Sequence, residues 1–124
     1  MHLNSDGTKP IYVQIADWIE NEIIADHLKP DDKVYSQYQL AELFNINPAT
    51  AGKGLSILLE EQIVYKKRGL GMFVTTEAKQ VILAKRKNEG FTKMIDDIVL
   101  EAKRLKISED EIINFIKKSY REEC

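Results

Sequence analysis

Apolar residues near the start of the chain recur at the spacing of an α-helix. Every fourth position carries an isoleucine, at Ile11, Ile15, Ile19 and Ile23. Pro10 precedes them and suits a first helical turn, because its missing N–H costs nothing there. Pro30 lies in a polar segment further on and disfavours helical backbone at the residue before it. The pattern predicts a helix over about 10–26, a turn, and then a very short strand at 34–35.

Two more helices are predicted to follow, with a tight turn between them. Ser36 and Gln39 have the spacing of a capping box, in which each side chain bonds the other residue's backbone N–H. They predict a helix that starts at residue 37 and ends near residue 44. Asn47 is a good N-cap and Pro48 a good first helical residue, so a third helix is predicted from there to about residue 62.

The next segment has the composition of a β-hairpin. Two runs rich in strand-forming residues, 63–68 and 72–75, flank Gly69-Leu70-Gly71. The sequence therefore predicts two antiparallel strands joined by a flexible tip, and the tip is basic.

The remaining residues read as helical. From 77 to 106 the apolar positions, with Asn88 in one gap, step by three and four in turn, at Val81, Ala84, Phe91, Ile95, Ile98, Ala102 and Leu105. That 3.5-residue period is typical of a seam between packed helices. Ser108 and Glu111 form a second capping-box pattern and predict a final helix. The predicted fold is mainly α with a small β-hairpin, divided into a head, 1–76, and a two-helix tail, 77–124.

Composition indicates a folded protein without an obvious polyanion partner. The chain has 124 residues, 44% of them apolar, and its 18 Lys and Arg against 20 Asp and Glu give a net charge of -2. This bulk charge favours neither nucleic acid nor a membrane as a partner. Three of the head's seven basic residues are adjacent, however, at Lys66, Lys67 and Arg68 of the hairpin tip. The head is acidic in sum and basic at one edge.

Nothing in the sequence indicates catalysis, a metal or a cofactor. The single cysteine, Cys124, allows no intramolecular disulfide and no cysteine-based metal cluster, which favours a cytoplasmic location. His2 and His27 have no second ligand at metal-binding spacing. No segment approaches the roughly 18 apolar residues of a membrane helix, and residues 1–7 do not resemble a signal peptide. We expect a protein that is not an enzyme.

Several motifs occur together in the order of a winged helix-turn-helix. They are Pro10-Ile11-Tyr12-Val13-Gln14-Ile15-Ala16, Leu28-Lys29-Pro30, Ser36 with Leu40-Ala41, Ile46-Asn47-Pro48-Ala49-Thr50, and Arg68-Gly69-Leu70-Gly71-Met72-Phe73-Val74. In order and spacing they resemble the head of GntR-family transcription regulators. The Asn-Pro-x-Thr opening of the third helix and the short tail resemble the YtrA-like subgroup.

The resemblance implies a homodimeric, sequence-specific DNA-binding regulator, usually a repressor of a transporter-type operon, that binds a palindromic operator. It implies that 77–124 is a dimerisation domain, and its length argues against a built-in pocket for a small-molecule effector. The predicted interface residues are Phe91, Ile95, Ile98, Ala102, Leu105, Ile112 and Ile116. The effector, if one exists, is unknown from the sequence.

The same resemblance assigns candidate contacts with double-stranded DNA. They lie on the second helix, the third helix and the wing, at Ser36, Tyr38, Asn47, Pro48, Ala49, Thr50, Lys53, Lys66, Lys67, Arg68, Gly69 and Gly71. Ser36 holds a phosphate or serves only as an N-cap, and the residues leave both roles open. Tyr38 and Leu70 stand where the family commonly has a basic residue, which predicts weaker binding that is more sensitive to salt.

Two further alternatives remain open from the sequence. Gly52 and Gly54 within the third helix indicate either a close approach to DNA or to a neighbouring helix, or tolerated drift in a weak binder. The weak third helix also allows a different function, a winged-helix scaffold that binds proteins rather than DNA. A regulator requires the basic wing and a dimer, whereas a scaffold requires an exposed apolar patch and binding without salt dependence.

Overall fold

The structure, a computed structural model, describes residue 3 and residues 8–123. The interpretations given for His2, for Cys124 and for most of residues 1–7 lie outside the described residues. Its elements in chain order are α1 (Ile11–Ile24), α2 (Gln37–Phe44), α3 (Pro48–Glu60), β1 (Val64–Lys67), β2 (Gly71–Val74), α4 (Ala78–Lys85), a π-helical segment (Arg86–Phe91), α5 (Thr92–Arg104) and α6 (Glu109–Glu123). The prediction of a mainly helical fold with one hairpin is confirmed. None of the described helices has the length and hydropathy needed to span a bilayer.

The chain divides into two compact units, and the boundary falls between Ala84 and Lys85. This division falls one short helix after the predicted boundary at residue 76. The reason is the packing of α4, whose Ala78 and Ile82 are buried in the core of the head while Val81 packs against that core. The first unit therefore includes α4 up to Ala84, and the second begins at Lys85, the last residue of that helix.

One apolar core holds the first unit together. Helix α1 buries the isoleucine face that the spacing predicted, with Ile15 and Ile19 fully inaccessible to solvent. Leu58 of α3 and Ile63, just before β1, are equally inaccessible in the same core. Burying a side chain of this size stabilises the folded state by about 1.5–3 kcal/mol, so this cluster fixes α3 and the hairpin against α1.

The two helices of the helix-turn-helix begin where their caps predicted. The Gln39 backbone N–H donates to Ser36 Oγ at 3.1 Å, and the Ser36 N–H donates to Gln39 Oε1 at 2.8 Å. The Ala49 N–H donates to Asn47 Oδ1 at 2.8 Å, with Pro48 in the first turn of α3. Asn45 ends α2 in the left-handed conformation. Local side-chain chemistry thus sets both ends of the turn.

Strands β1 and β2 pair antiparallel in a simple register. The pairs run from Val64 opposite Val74 at the base to Lys67 opposite Gly71 beside the turn. The very short strand predicted at 34–35 is instead a single bridge between Lys33 and Phe73. Backbone hydrogen bonds on either side of that bridge hold the segment against β2, and the Val34 side chain enters the core.

The tail differs from its prediction in one feature. The backbone is helical from α4 to α5, but it widens into a π-helix over Arg86–Phe91. Gly90, a poor helix former, lies in this segment, and the Thr92 hydroxyl donates to the Asn88 carbonyl at 2.8 Å. The predicted continuous seam is wrong for Val81, which packs in the first unit. The capping box of Ser108 and Glu111 at the start of α6 is confirmed.

Gly54 lies where α3 comes closest to α1. A Cβ added to Gly54 would stand 2.8 Å from the Tyr12 carbonyl oxygen and 3.0 Å from Ile15 Cγ2. A Cβ on Gly52 would meet only the flexible Gln37 side chain, with Oε1 at 3.2 Å. Of the two explanations given for these glycines, close approach to a neighbouring helix therefore holds for Gly54.

We expect Gly54→Ala to destabilise the protein although alanine favours helix by up to ~1 kcal/mol over glycine. Overpacking against rigid backbone costs about 1–3 kcal/mol, so the net free energy of unfolding should fall. Gly52→Ala is the matched control and should be neutral or slightly stabilising. Urea denaturation of both variants measures the difference, and equal stabilisation by the two alanines would contradict the close-packing explanation.

Candidate nucleic-acid interface

The start of α3 presents a mixed polar and apolar surface. Asn47 and Ala49 are exposed, and Pro48 and Thr50 are half-buried. The Asn47 side-chain oxygen is occupied by its cap hydrogen bond, which leaves its amide group as a donor. The first turn of α3 therefore offers an amide, a hydroxyl and a small apolar group, the chemistry that reads base edges in a major groove.

Lys53 is the cation that α3 contributes, and α1 positions it. Its Nζ lies 4.7 Å from the centroid of the Tyr12 ring, a cation–π contact worth about 0.5–1 kcal/mol at an exposed site. The neighbouring Gly54 allows α1 and α3 to approach closely enough for this contact. The sequence predicts Lys53 as a DNA contact. It does not predict that Tyr12 positions Lys53, since no local pattern relates a ring in α1 to a lysine in α3.

The start of α2 carries the candidates Ser36 and Tyr38. Ser36 is exposed, and its hydroxyl oxygen already accepts the Gln39 N–H, so its role as an N-cap is confirmed. Its hydroxyl proton remains as a donor, and the first turn of α2 has backbone N–H groups that favour an anion. Tyr38 is 69% exposed, and its hydroxyl has no hydrogen bond to another described residue. A phosphate at this end of α2 would meet neutral donors only.

The wing carries adjacent exposed cations at Lys66, Lys67 and Arg68. The turn beyond them uses Gly69 and Gly71 at φ +76° and +113°, a backbone region that side chains disfavour. Within the described residues, none of the three cations is paired with a carboxylate. Lys66 and Lys67 lie at the end of β1 rather than in the predicted tip, and with Arg68 they make this end of the wing basic.

Two other lysines of the first unit form ion pairs with nearby carboxylates. Lys9 Nζ lies 2.8 Å from a carboxylate oxygen of Asp17, and Lys79 Nζ lies 3.1 Å from one of Asp26. Two acidic residues of this unit, Asp17 and Asp26, thus pair with lysines outside the wing. This arrangement leaves one edge of the unit basic.

The base of the wing is tied to the loop before α2. The Tyr65 hydroxyl donates to Asp31 Oδ1 at 2.7 Å. This hydrogen bond, followed by desolvation and the Asp31 charge, raises the pKa of Tyr65 above its ordinary value of 10.0. The Tyr65 ring also stacks on Phe73, with centroids 5.8 Å apart. These contacts hold the base of the wing in place. The hydrogen bond between Tyr65 and Asp31 was not predicted from the sequence.

The second unit exposes the apolar residues that the sequence assigned to an interface. Five of the seven predicted residues are exposed, namely Phe91, Ile95, Ile98, Leu105 and Ile116. Ile112 is half-buried, and Ala102 is only 6% exposed. Further exposed apolar side chains that the sequence analysis did not name are Met94, Leu100, Phe115 and Tyr120.

The described residues contain no group of three or more histidine, cysteine or acidic side chains that could hold a metal ion. His27, in the loop after α1, lies 3.0 Å from a carboxylate oxygen of Glu22 and has no other candidate ligand beside it in that part of the chain.

Comparison with known proteins agrees with this geometry. Residues 11–74 match the family model "Bacterial regulatory proteins, gntR family". The uncharacterised HTH-type transcriptional regulator YhcF of Bacillus subtilis is 31% identical over 111 residues, 90% of each chain. The repressor YtrA of the same organism is 29% identical over 97 residues, 78% of this chain and 71% of YtrA. The repressor NagR is longer, and its 31% identity over 98 residues covers 79% of this chain but 38% of NagR.

Solved structures show the same fold. A GntR family transcriptional regulator from Listeria monocytogenes superposes with a TM-score of 0.72 at 32% identity, covering 91% of this chain and 97% of that one. The DNA-binding domain of AraR, in complex with operator ORE1, superposes with a TM-score of 0.53 at 27% identity, covering 60% of this chain and 90% of that one.

Fold and surface together define a winged helix-turn-helix regulator. The chain belongs to the gntR family of bacterial regulatory proteins. Its similarity to YtrA supports the YtrA-like subgroup that the Asn-Pro-x-Thr motif indicated.

We expect Tyr65 to ionise above pH 10 in the folded protein. Because its pKa is higher folded than unfolded, the hydrogen bond to Asp31 stabilises fully below the unfolded pKa and is lost as pH rises through the folded pKa. Ultraviolet titration of tyrosinate should show a step for Tyr65 above its ordinary value of 10.0. Tyr65→Phe should remove that step, and Asp31→Asn should move it to lower pH. A late step that survives Tyr65→Phe would assign it to another tyrosine.

Proposed function

We propose that this protein is a sequence-specific DNA-binding transcription regulator that acts as a homodimeric repressor. The observation that carries the proposal is the wing, which keeps three cations without a carboxylate partner among the described residues, in a head that is acidic in sum and that exposes the start of α3. AraR, whose DNA-binding domain shares this fold, is bound to an operator, and the names of YtrA and NagR describe repressors. These relatives indicate a regulatory rather than an enzymatic role.

On DNA, α3 is expected to enter the major groove while the wing contacts the backbone. Asn47, Thr50 and Lys53 then face base edges, and Ala49 fits beside a thymine methyl group. Lys66, Lys67 and Arg68 neutralise phosphates, with Gly69 and Gly71 permitting the tight turn. The wing supplies most of the affinity, since phosphate contacts dominate the free energy of binding and base contacts supply the sequence preference.

Affinity is expected to be modest for this fold. The tip of the wing carries Leu70, which is 60% exposed, and the start of α2 carries the neutral Tyr38. Each replaced cation removes one phosphate contact. The slope of log affinity against log salt concentration should then be smaller by roughly 0.9 per subunit. Binding therefore depends strongly on the three wing cations.

A second copy of the chain is the expected partner of the second unit. Helix α5 exposes Ile95 and Ile98, and α6 exposes Phe115 and Ile116. Apolar side chains so concentrated on short helices mark an interaction surface. Two copies would double the basic wing and match a palindromic operator. A transporter-type operon as the target follows from the resemblance to the YtrA-like subgroup, and whether a small molecule controls it is a separate question.

The DNA proposal is tested by gel shift with the DNA just upstream of the gene that encodes this chain. Wild-type protein should bind at low salt and release as salt rises, and Lys66→Glu with Arg68→Glu should abolish binding. Lys29→Glu, in the loop between α1 and α2, is the control for charge reversal and should bind much more tightly than the double variant. If the wild type and the double variant both ignore the DNA, the scaffold function becomes the better explanation.

The dimer is tested by Ile98→Asp in α5, a residue that is 47% exposed in the single chain. An unpaired carboxylate buried in an interface costs about 3–5 kcal/mol, so dissociation should increase by about 100-fold or more. Sedimentation measures the change.

The matched control is Leu70→Asp, the same kind of substitution at an exposed apolar residue of the wing. It should leave the dimer intact and weaken DNA binding. A wild-type protein that sediments as a monomer, or an Ile98→Asp variant that stays dimeric, would argue against α5 as the dimer interface.

A further inference from the structure

The wing has a third backbone segment that the sequence does not group with it. The Val34 N–H donates to the Met72 carbonyl at 2.8 Å, and the Val74 N–H donates to the Asp32 carbonyl at 2.9 Å. Between these hydrogen bonds Lys33 faces Phe73 in an isolated bridge. The loop before α2 therefore lies along the free edge of β2.

This pairing places Lys33 on the outer face of the wing. Residues paired across strands share a face. Val64 and Val74 are a pair and are buried, so they define the inner face. The outer face is formed by the alternate residues of the three segments, namely Asp31, Lys33, Tyr65, Lys67, Gly71 and Phe73.

Lys33 crosses β2 at Gly71. Its Cε lies 3.0 Å, and its Nζ 3.8 Å, from the position that a Cβ on Gly71 would occupy. Lys67 is directly opposite Gly71 on β1, and its Nζ lies 4.7 Å from the centroid of the Phe73 ring. Two lysines that are distant in sequence thus flank one glycine on the same face. A Cβ at position 71 would meet the flexible end of the Lys33 side chain, which would have to shift, and it would also be disfavoured by the positive φ of this residue.

No carboxylate among the described residues forms an ion pair with Lys33 or Lys67. The acidic residue of this face, Asp31, accepts the Tyr65 hydroxyl at 2.7 Å at the base of the wing. Lys33 itself is exposed. The outer face therefore carries two exposed lysines, one on each side of Gly71.

We propose that Lys33 is a phosphate contact, and that the wing binds the DNA backbone through its outer face, from Lys33 across Gly71 to Lys67, as well as through its tip. This inference rests on the proposed DNA-binding function. A lysine ammonium is a compact point charge that suits a phosphate oxygen and carries no base preference. The glycine leaves room for Lys33 to cross β2, so that its ammonium group and that of Lys67 serve the same face.

The test is Lys33→Gln, which keeps much of the stem and removes the charge. Binding to a short fluorescent duplex of mixed sequence is measured by anisotropy over a range of salt concentrations. The slope of log affinity against log salt should fall by about 0.9 per subunit. The loss should be equal on any duplex sequence, because a phosphate contact is indifferent to the bases. Lys33→Arg should restore the wild-type slope.

Lys29→Gln is the matched control, an exposed lysine of the same loop beyond the base of the wing, and should leave the slope unchanged. The melting temperature of each variant distinguishes a loss of packing, which lowers it, from a loss of charge at the DNA contact. If Lys33→Gln keeps the wild-type slope, or lowers only the melting temperature, the inference fails while the DNA-binding function stands. If Lys33→Arg loses the slope as well, stem packing explains the effect and the inference fails. If the wild type binds no duplex, the proposed function fails first.

Discussion

The close packing of α1 against α3 is the constraint on which the rest of the first unit depends. Gly54 lets the α3 backbone approach the Tyr12 carbonyl, and Ile15 fills the space beside it. At that separation the Tyr12 ring lies under the Lys53 ammonium, so a packing contact also positions a candidate DNA contact. The opposite side of α3 stays exposed because its inner side is used in the core.

The positions of the charged residues, more than the net charge, decide which surface of the protein is basic. Acids such as Asp17 and Asp26 pair with lysines outside the wing. The acid at the base of the wing, Asp31, serves as an acceptor for Tyr65. The cations of the wing are left without such partners among the described residues. A slightly acidic chain can therefore present a basic surface, provided that tertiary structure separates its charges.

Contacts could be predicted from the sequence wherever residues that are close in the chain are also close in space. The caps at Ser36, Asn47 and Ser108 form as predicted, since each joins residues within one helical turn. The family motif in the head was readable for the same reason. The prediction was wrong at the π-helical segment, where the helix changes its geometry. The apolar steps of three and four continue in sequence through that segment, so they grouped Val81 with residues of the second unit. In the structure Val81 packs against the core of the first unit.

The sequence by itself determined the order of the elements, their capped ends, the apolar face of α1 and the basic tip of the wing, because these depend on spacing within short segments. Only tertiary structure decided that α4 packs with the first unit, that Tyr12 lies under Lys53, and that Lys33 crosses Gly71. Each of these contacts joins residues far apart in the chain. Their meeting is set by how the core brings separate helices and strands together, and no local pattern encodes it.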